Sequence, residues 1–318
     1  MTSQAIIFSG RGSQYLAEKI AQKFGEPLGK VKTQVFSDGE ICVEFEESIR
    51  GRSVFLVQST FAPTENLMEL LLMIDAAKRA SAYKVIAVIP YYGYARQDRK
   101  DKPRVAIGSK LVANMLTAAG ADRIVTMDLH APQIQGYFDI PVDHLESSAI
   151  FIPYIENLNL QNLTFAAPDV GSANRIREIA SYFEVDMVIC DKHRKRANEI
   201  ASMVVIGDVT DRDIVLIDDI CDTGGTLAKS AALMIQKGAR SVRAFCTHPV
   251  LSGKAYENIE NSVLEELVVC DTIPIKQPSS KIKVLSTDEL FAVALRNAYE
   301  NRSINTLFIK SRMKTLKS

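Results

Sequence analysis

Short β-branched runs alternate with helix-periodic stretches along most of this chain, and that rhythm constrains its fold more than any other feature. The runs are SVFLVQST (53 to 60), KVIAVIPY (84 to 91), RIVTMDL (123 to 129), LTFAAPD (163 to 169), DMVICD (186 to 191), DIVLIDD (213 to 219) and SVRAFCT (241 to 247). Between several of them lie NLMELLLMIDAAKRA (66 to 80), IGSKLVANMLTAAG (107 to 120) and GTLAKSAALMIQKG (225 to 238), each with the apolar spacing of a helix. Strands alternating with helices of this length predict an α/β fold of mainly parallel sheets covered on both faces. Ligands of such sheets bind at the carboxyl ends of the strands.

A chain of 318 residues suits about two domains. A faint repeat agrees with that number. AAGADRIVTMDLH (118 to 130) and QKGARSVRAFCTH (236 to 248) share a helix-ending Gly-Ala, an apolar strand and a terminal His, offset by 118 residues. Gly120 and Gly238 suit left-handed helix caps. The second half is expected to begin near residue 146, where LESSAIFIPYIENL looks helical, giving domains 1 to 145 and 146 to 318. The last 20 or so residues are expected to pack back on the first.

Lys plus Arg equal Asp plus Glu at 38 each, so no bulk charge draws the chain to nucleic acid or membrane, and affinity for anions must be local. Cys42, Cys190, Cys221, Cys246 and Cys270 are too scattered for a C-x-x-C zinc or redox pair. They read as reduced thiols. Neither a signal peptide nor about 18 uninterrupted apolar residues is visible, which predicts a soluble, cytoplasmic protein.

Chemistry first shows in VLIDDICDTGGT (215 to 226), where an apolar run ends in acids and then glycines. Consecutive strand residues point to opposite faces, so Asp218 and Asp219 cannot face one another within a regular strand. They make sense at a strand end, where the chain is turning. Thr223-Gly224-Gly225-Thr226 precedes a helix, and glycines there let backbone N–H groups close around an anion. Carboxylates repel a bare phosphate but accept hydrogen bonds from sugar hydroxyls, so the pattern fits a phosphorylated sugar. The same residues also fit a simple acidic helix cap with a tight turn. No G-x-x-x-x-G-K-[ST] occurs, which leaves a Walker-type nucleotide site unsupported.

VLIDDICDTGGT resembles the 5-phosphoribosyl-1-diphosphate (PRPP) motif of the phosphoribosyltransferase superfamily. FSDGE (36 to 40), YYGYARQDRK (91 to 100), TMDLHAPQIQGYFDIPVD (126 to 143), APDVGSANR (167 to 175) and DKHRKR (191 to 196) then resemble, in order, ribose-phosphate diphosphokinase (PRPP synthetase), over nearly the full length. The resemblance implies two tandem phosphoribosyltransferase-like domains. It also implies transfer of the diphosphate of ATP to the 1-hydroxyl of ribose 5-phosphate, giving PRPP and AMP for nucleotide biosynthesis.

Read alone, FSDGE is a polar turn between strands; by resemblance Phe36 stacks on adenine, and Asp38, Gly39 and Glu40 contact ATP in a neighbouring subunit's site. Arg96 and Gln97 could belong to a solvated loop, but they match the family's ATP-binding pair, and an Arg can grip phosphate with its fork. His130 and Asp169 match positions near the ATP-bound Mg2+. Magnesium takes few protein groups, and a His is an unusual partner for a hard cation.

The basic run 192 to 196 could be an exposed loop or a small nucleic-acid patch; the resemblance instead assigns Lys192 and Arg194 to transition-state stabilisation. Arg194 is also expected at ribose 5-phosphate, with Asp218, Asp219, Asp222, Thr223, Gly224, Gly225 and Thr226. The family commonly has Gly-Gly where Gly171-Ser172 stands and Arg where His193 stands; neither change removes a named functional group. Ser48, Arg50, Ser303 and Asn305 resemble the allosteric anion site of the class that phosphate activates and ADP inhibits. The family assembles as hexamers built from dimers. Two other readings share parts of the pattern. A catalytically silent regulatory relative is opposed by retained Lys192, Arg194, His130 and Asp169. A PRPP-consuming phosphoribosyltransferase leaves FSDGE and ARQDRK unexplained.

Overall fold

In the computed structural model, which describes residues 4–193 and 202–307, the chain divides into two units. One comprises Met1–Glu146 with Thr287–Leu307, and the other Ser147–Ser286. The segment Thr287–Leu307 therefore belongs with the N-terminal part, so a return to the first unit of the kind expected of the last 20 or so residues begins at Thr287.

The sheet of the first unit is built from β1 (Ala5–Ser9), β4 (Ser53–Val57), β5 (Lys84–Ile89), β6 (Arg123–Met127) and β7 (Val142–Leu145), in the order β1-β4-β5-β6-β7. Every neighbouring pair is parallel. All five residues of β4, SVFLV, are buried, which accounts for an unbroken apolar run where a half-exposed strand would alternate. Helices α1 (Gln14–Phe24), α2 (Glu65–Arg79) and α3 (Gly108–Ala119) belong to this unit.

The returning helix α8 (Asp288–Tyr299) packs on α1. It buries Phe291, Ala292, Ala294 and Leu295. The Arg296 guanidinium donates to the Phe24 carbonyl and lies 5.0 Å from the centre of that ring. This apolar face is what draws the segment back to the first unit.

A separate antiparallel hairpin, β2 (Val31–Val35) with β3 (Ile41–Phe45), leaves the parallel sheet. It is tied down at its middle by a carboxylate. Glu69 of α2 is fully buried and accepts from Thr33 Oγ1 (2.7 Å), Arg11 Nε (3.1 Å) and Gln58 Nε2 (3.1 Å). A buried carboxylate needs this many donors to offset its lost hydration.

The second unit has β8 (Leu163–Ala167), β9 (Met187–His193), β10 (Ser202–Ile206), β11 (Asp213–Cys221), β12 (Ser241–Pro249), β13 (Leu267–Cys270) and β14 (Ile282–Leu285). Their order is β10-β9-β8-β11-β12-β13-β14, and only the β9–β10 pair is antiparallel. Helices α4 (Ser148–Asn157), α5 (Ala173–Phe183), α6 (Gly225–Gln236) and α7 (Ala255–Glu260) complete it. From β8 the chain builds outward in one direction through β9 and β10, then in the other from β11. The topological switch point thus lies between β8 and β11, and the crevice beyond their carboxyl ends is where such a sheet binds its ligand.

The repeat seen in the sequence survives as paired features with different ends. Gly120 and Gly238 both take left-handed conformations, with φ +108° and +95°. β6 stops at Met127, and Asp128 turns the chain with φ +37°, leaving His130 exposed. β12 continues through Pro249, so His248 stays buried and its Nδ1 meets Thr272 Oγ1 at 2.9 Å.

Candidate active site

β11 carries the acids farther than a strand end. Pairing with β8 stops at Leu216 and Ala166, whereas pairing with β12 continues to Cys221 and Pro249. Asp218 and Asp219 therefore lie within the strand, not at the turn expected from the sequence. The reason is the nine-residue length of β12, which supplies ladder partners past the point where β8 has ended.

The switch-point edge of β11 is consequently open beside both acids. Asp219 is buried and Asp218 partly so. The backbone N–H of Asp219 donates to Asp218 Oδ1 at 2.9 Å. Loss of water around the Asp218 carboxyl pushes its pKa well above the usual carboxylate range, and the charges of Asp219 and then Asp169 add to that rise.

Asp169 sits exposed just past the end of β8. Its Oδ1 accepts the Ser172 N–H at 3.0 Å, and Ser172 is the N-cap residue of α5. The departure to Ser at this position therefore falls at a helix start. Three carboxylates within electrostatic reach form a setting that a divalent cation relieves. Among the described residues, no three His, Cys, Asp or Glu side chains converge as a complete metal cage. Magnesium, which keeps most of its waters and substrate oxygens, needs none.

Beyond β11 the glycine turn delivers the chain to α6. Gly224 is the N-cap residue with φ +69°, a conformation open to glycine at little cost. A Cβ there would also come within 3.1 Å of Ile259. The first intrahelical bond runs from Ala228 N–H to the Gly224 carbonyl at 3.0 Å, so the helix start at Gly225 and Thr226 has the geometry of an anion site.

The thiols around this strand are chemically quiet. Burial pushes the Cys221 pKa up to about 12, with Asp218 and Asp222 adding to the effect, and fully buried Cys246 is also raised well above its ordinary value. Cys190 and Cys270 are buried as well, whereas Cys42 on β3 is exposed. A maleimide at pH 7.5 is expected to modify one thiol per native chain, Cys42, as read by mass spectrometry of proteolytic fragments. Rapid labelling of Cys221 would contradict this assignment.

The residues expected at ATP, together with His130 and the expected allosteric residues, occupy the first unit. FSDGE is the tip of the β2–β3 hairpin: Phe36 N–H donates to the Glu40 carbonyl at 2.8 Å, and Glu40 N–H to Asp38 Oδ1 at 3.0 Å. The turn reading and the ligand reading of this segment are therefore compatible. Phe36 is 45% exposed and neighbouring Val35 52%, so the tip offers an aromatic face that its own fold does not cover.

Arg96 and Gln97 are exposed in the loop after β5. Gly93 allows that loop to turn, since a Cβ there would lie 2.1 Å from the Thr60 carbonyl oxygen. The Gln97 carbonyl accepts from Ser109 Oγ at 3.1 Å, which fastens the loop to α3. At the end of β6, Leu129 N–H donates to His144 Nε2 at 2.8 Å, bracing the bend that exposes His130. His144 carries no sequence signal for this role. Glu69 does, as the one charge among the apolar positions of NLMELLL.

Lys192 lies on β9 opposite Met203. Arg194, with the rest of the basic run to Arg196, lies outside the described residues. Ser48, Arg50, Ser303 and Asn305 are exposed in the first unit. The segments that follow Arg50 and precede Arg302 both border a cavity of about 670 Å3, lined in part by Gly51, Ser53, Lys84, Arg123, Tyr299 and Asn301. It lies at the amino ends of β4, β5 and β6, opposite the end that carries Arg96 and His130.

Comparison with known proteins covers both units. Residues 5–120 match the family described as the N-terminal domain of ribose phosphate pyrophosphokinase, and residues 173–309 match the phosphoribosyl synthetase-associated domain. Ribose-phosphate pyrophosphokinase of Porphyromonas gingivalis is 55% identical across 95% of this chain and 97% of its own. That of Campylobacter jejuni is 52% identical across 95% and 98%. The crystal structure of phosphoribosylpyrophosphate synthetase from Mycobacterium smegmatis superposes with a TM-score of 0.89 at 37% identity, covering 94% of this chain and all of that one.

Proposed function

This chain belongs to the ribose-phosphate pyrophosphokinase family, and from that membership we infer how its own residues divide the family's reaction. The diphosphate of ATP is transferred to the 1-hydroxyl of ribose 5-phosphate. The bond from O1 to the β-phosphorus forms as the bond from that phosphorus to the AMP oxygen breaks, and the hydroxyl proton is released.

The observation that carries the assignment is the open edge of β11 at the switch point. There Asp218 and Asp219 precede an anion-ready helix start by a few residues. The acids accept from the ribose hydroxyls, and Thr223 to Thr226 receive the 5-phosphate. ATP is bound by Arg96 and Gln97 and by the hairpin tip from Phe36 to Glu40, the tip acting on a neighbouring copy's nucleotide. Phe36 stacks on adenine, and its uncovered ring supports that role.

Lys192 and Arg194 neutralise the charge that builds on the transferring group. Mg2+, to which the family pattern assigns His130 and Asp169, would supply further charge neutralisation to the triphosphate. The acidic surroundings of Asp169 support cation binding there. The protein is expected to act in the cytoplasm; no helix among the described residues is long and apolar enough to cross a membrane. Ser48, Arg50, Ser303 and Asn305 are assigned to an inter-subunit anion site for phosphate and ADP in a hexamer.

Incubation with ATP, Mg2+, inorganic phosphate and ribose 5-phosphate is expected to yield AMP and PRPP in equal amounts. Folded protein that forms no AMP under these conditions would refute the assignment.

A further inference from the structure

We propose that Asn258 and Ser252, on the segment after β12, are positioning residues for ribose 5-phosphate, holding Asp222 to Gly224 in the shape that presents the start of α6 to the 5-phosphate. The proposal rests on the reading of Thr223 to Thr226 as the phosphate turn.

A turn rich in glycine has many accessible backbone states, so a ligand that needs one of them must supply the ordering free energy unless the protein has already done so. In this turn the ordering comes from outside. Asn258 Nδ2 donates to the Thr223 carbonyl at 2.8 Å. Because a trans peptide points its C=O and N–H in opposite directions, fixing that carbonyl also fixes the direction of the Gly224 N–H.

Ser252 clamps the preceding residue. Its N–H donates to the Asp222 carbonyl at 2.9 Å, and its hydroxyl donates to Asp222 Oδ1. An unrestrained carboxylate beside a phosphate would repel it; the Ser252 hydroxyl engages this one. Leu251 N–H adds a bond to the Cys221 carbonyl at 3.0 Å. Ile259 and the Ala255 carbonyl of α7 close over Gly224. The whole brace arises from one connection, the loop from β12 into α7.

The test is steady-state kinetics of the full-length protein with each substrate varied in turn. Asn258→Leu keeps the γ-branched shape and removes the donor; Ser252→Ala removes the clamp; Ser252→Thr keeps a hydroxyl. A single hydrogen bond of this kind predicts a rise of about 3- to 10-fold in KM for ribose 5-phosphate in the first two variants. KM for ATP and kcat should stay within about twofold, and Ser252→Thr should resemble the unmodified protein. Calorimetric titration with ribose 5-phosphate should show the same loss of affinity.

An unchanged KM for ribose 5-phosphate, or an equal rise in KM for ATP, overturns the proposal. Should Asn258→Leu fail to fold, the Ser252 pair carries the same expectation. An unmodified protein that makes PRPP while these variants show no KM change sinks the brace alone. Absence of PRPP in the unmodified protein sinks the underlying reading instead.

Discussion

Lys192→Ala is expected to lower kcat by about a thousandfold or more while leaving KM for ATP within about threefold, because diphosphate transfer depends on charge stabilisation that is strongest in the transition state. Sheet register supports this role at the backbone level. Ile189 of β9 lies beside Ala167 of β8, and Leu216 of β11 lies beside Ala166. Lys192 is three residues past its pairing point, Asp169 two past Ala167, and Asp218 two past Leu216. All three thus lie toward the same, carboxyl end of the sheet. Rapid-quench measurement of AMP formation separates the chemical step from product release, and equilibrium binding of ATP provides the second readout. Comparable losses in both would make Lys192 a ground-state anchor instead.

Asp218→Asn is expected to act in opposite directions on activity and stability. Loss of an ionised acceptor for a ribose hydroxyl should cut kcat/KM for ribose 5-phosphate by roughly 10- to 100-fold, the range for a hydrogen bond to a charged group. The same change removes a carboxylate disfavoured by desolvation and by Asp219 and Asp169, so the protein without metal or substrate should melt about 2–4 °C higher.

The pH dependence follows from the raised Asp218 pKa. Below the unfolded-state pKa the carboxyl is neutral in both states and carries no penalty. Above that pH the unfolded chain ionises while the folded carboxyl stays protonated, so stability is lost with rising pH until the elevated folded-state pKa has been passed. The melting gap between variant and unmodified protein should therefore widen from pH 5 to pH 8 in calorimetric scans. A gap that narrows over that range, or a variant that melts lower throughout, would show that Asp218 is already satisfied by its surroundings. The site acids would then carry no stability cost.

What the sequence made legible were features encoded locally. Alternating β-branched and helix-periodic runs specify strands and helices through burial pattern, so the seven strand runs and the three periodic stretches all appear as such elements. Glycine at the turn of DTGGT specifies a left-handed residue because side chains disfavour that conformation, and Gly224 adopts it. FSDGE could be read as a turn from its composition alone, and its use in ligand binding only from the family pattern.

Other features depend on partners remote in sequence. That β11 extends past its acids depends on the length of β12, to which nothing in VLIDDICDTGGT refers. That α8 returns to the first unit depends on an apolar face matching α1 across more than 260 residues, an association set by packing rather than by local propensity. The roles of Glu69 beneath the hairpin, His144 behind Leu129 and Asn258 against Thr223 are likewise side-chain hydrogen bonds whose donors and acceptors meet only when the chain is folded. The sequence by itself determined the α/β class, the family and the residue types of the phosphate turn, because periodicity and local backbone preference act over a few residues. Tertiary structure alone decided which edge of β11 is open and which residues brace the turn, because burial and hydrogen-bond satisfaction are settled between distant segments.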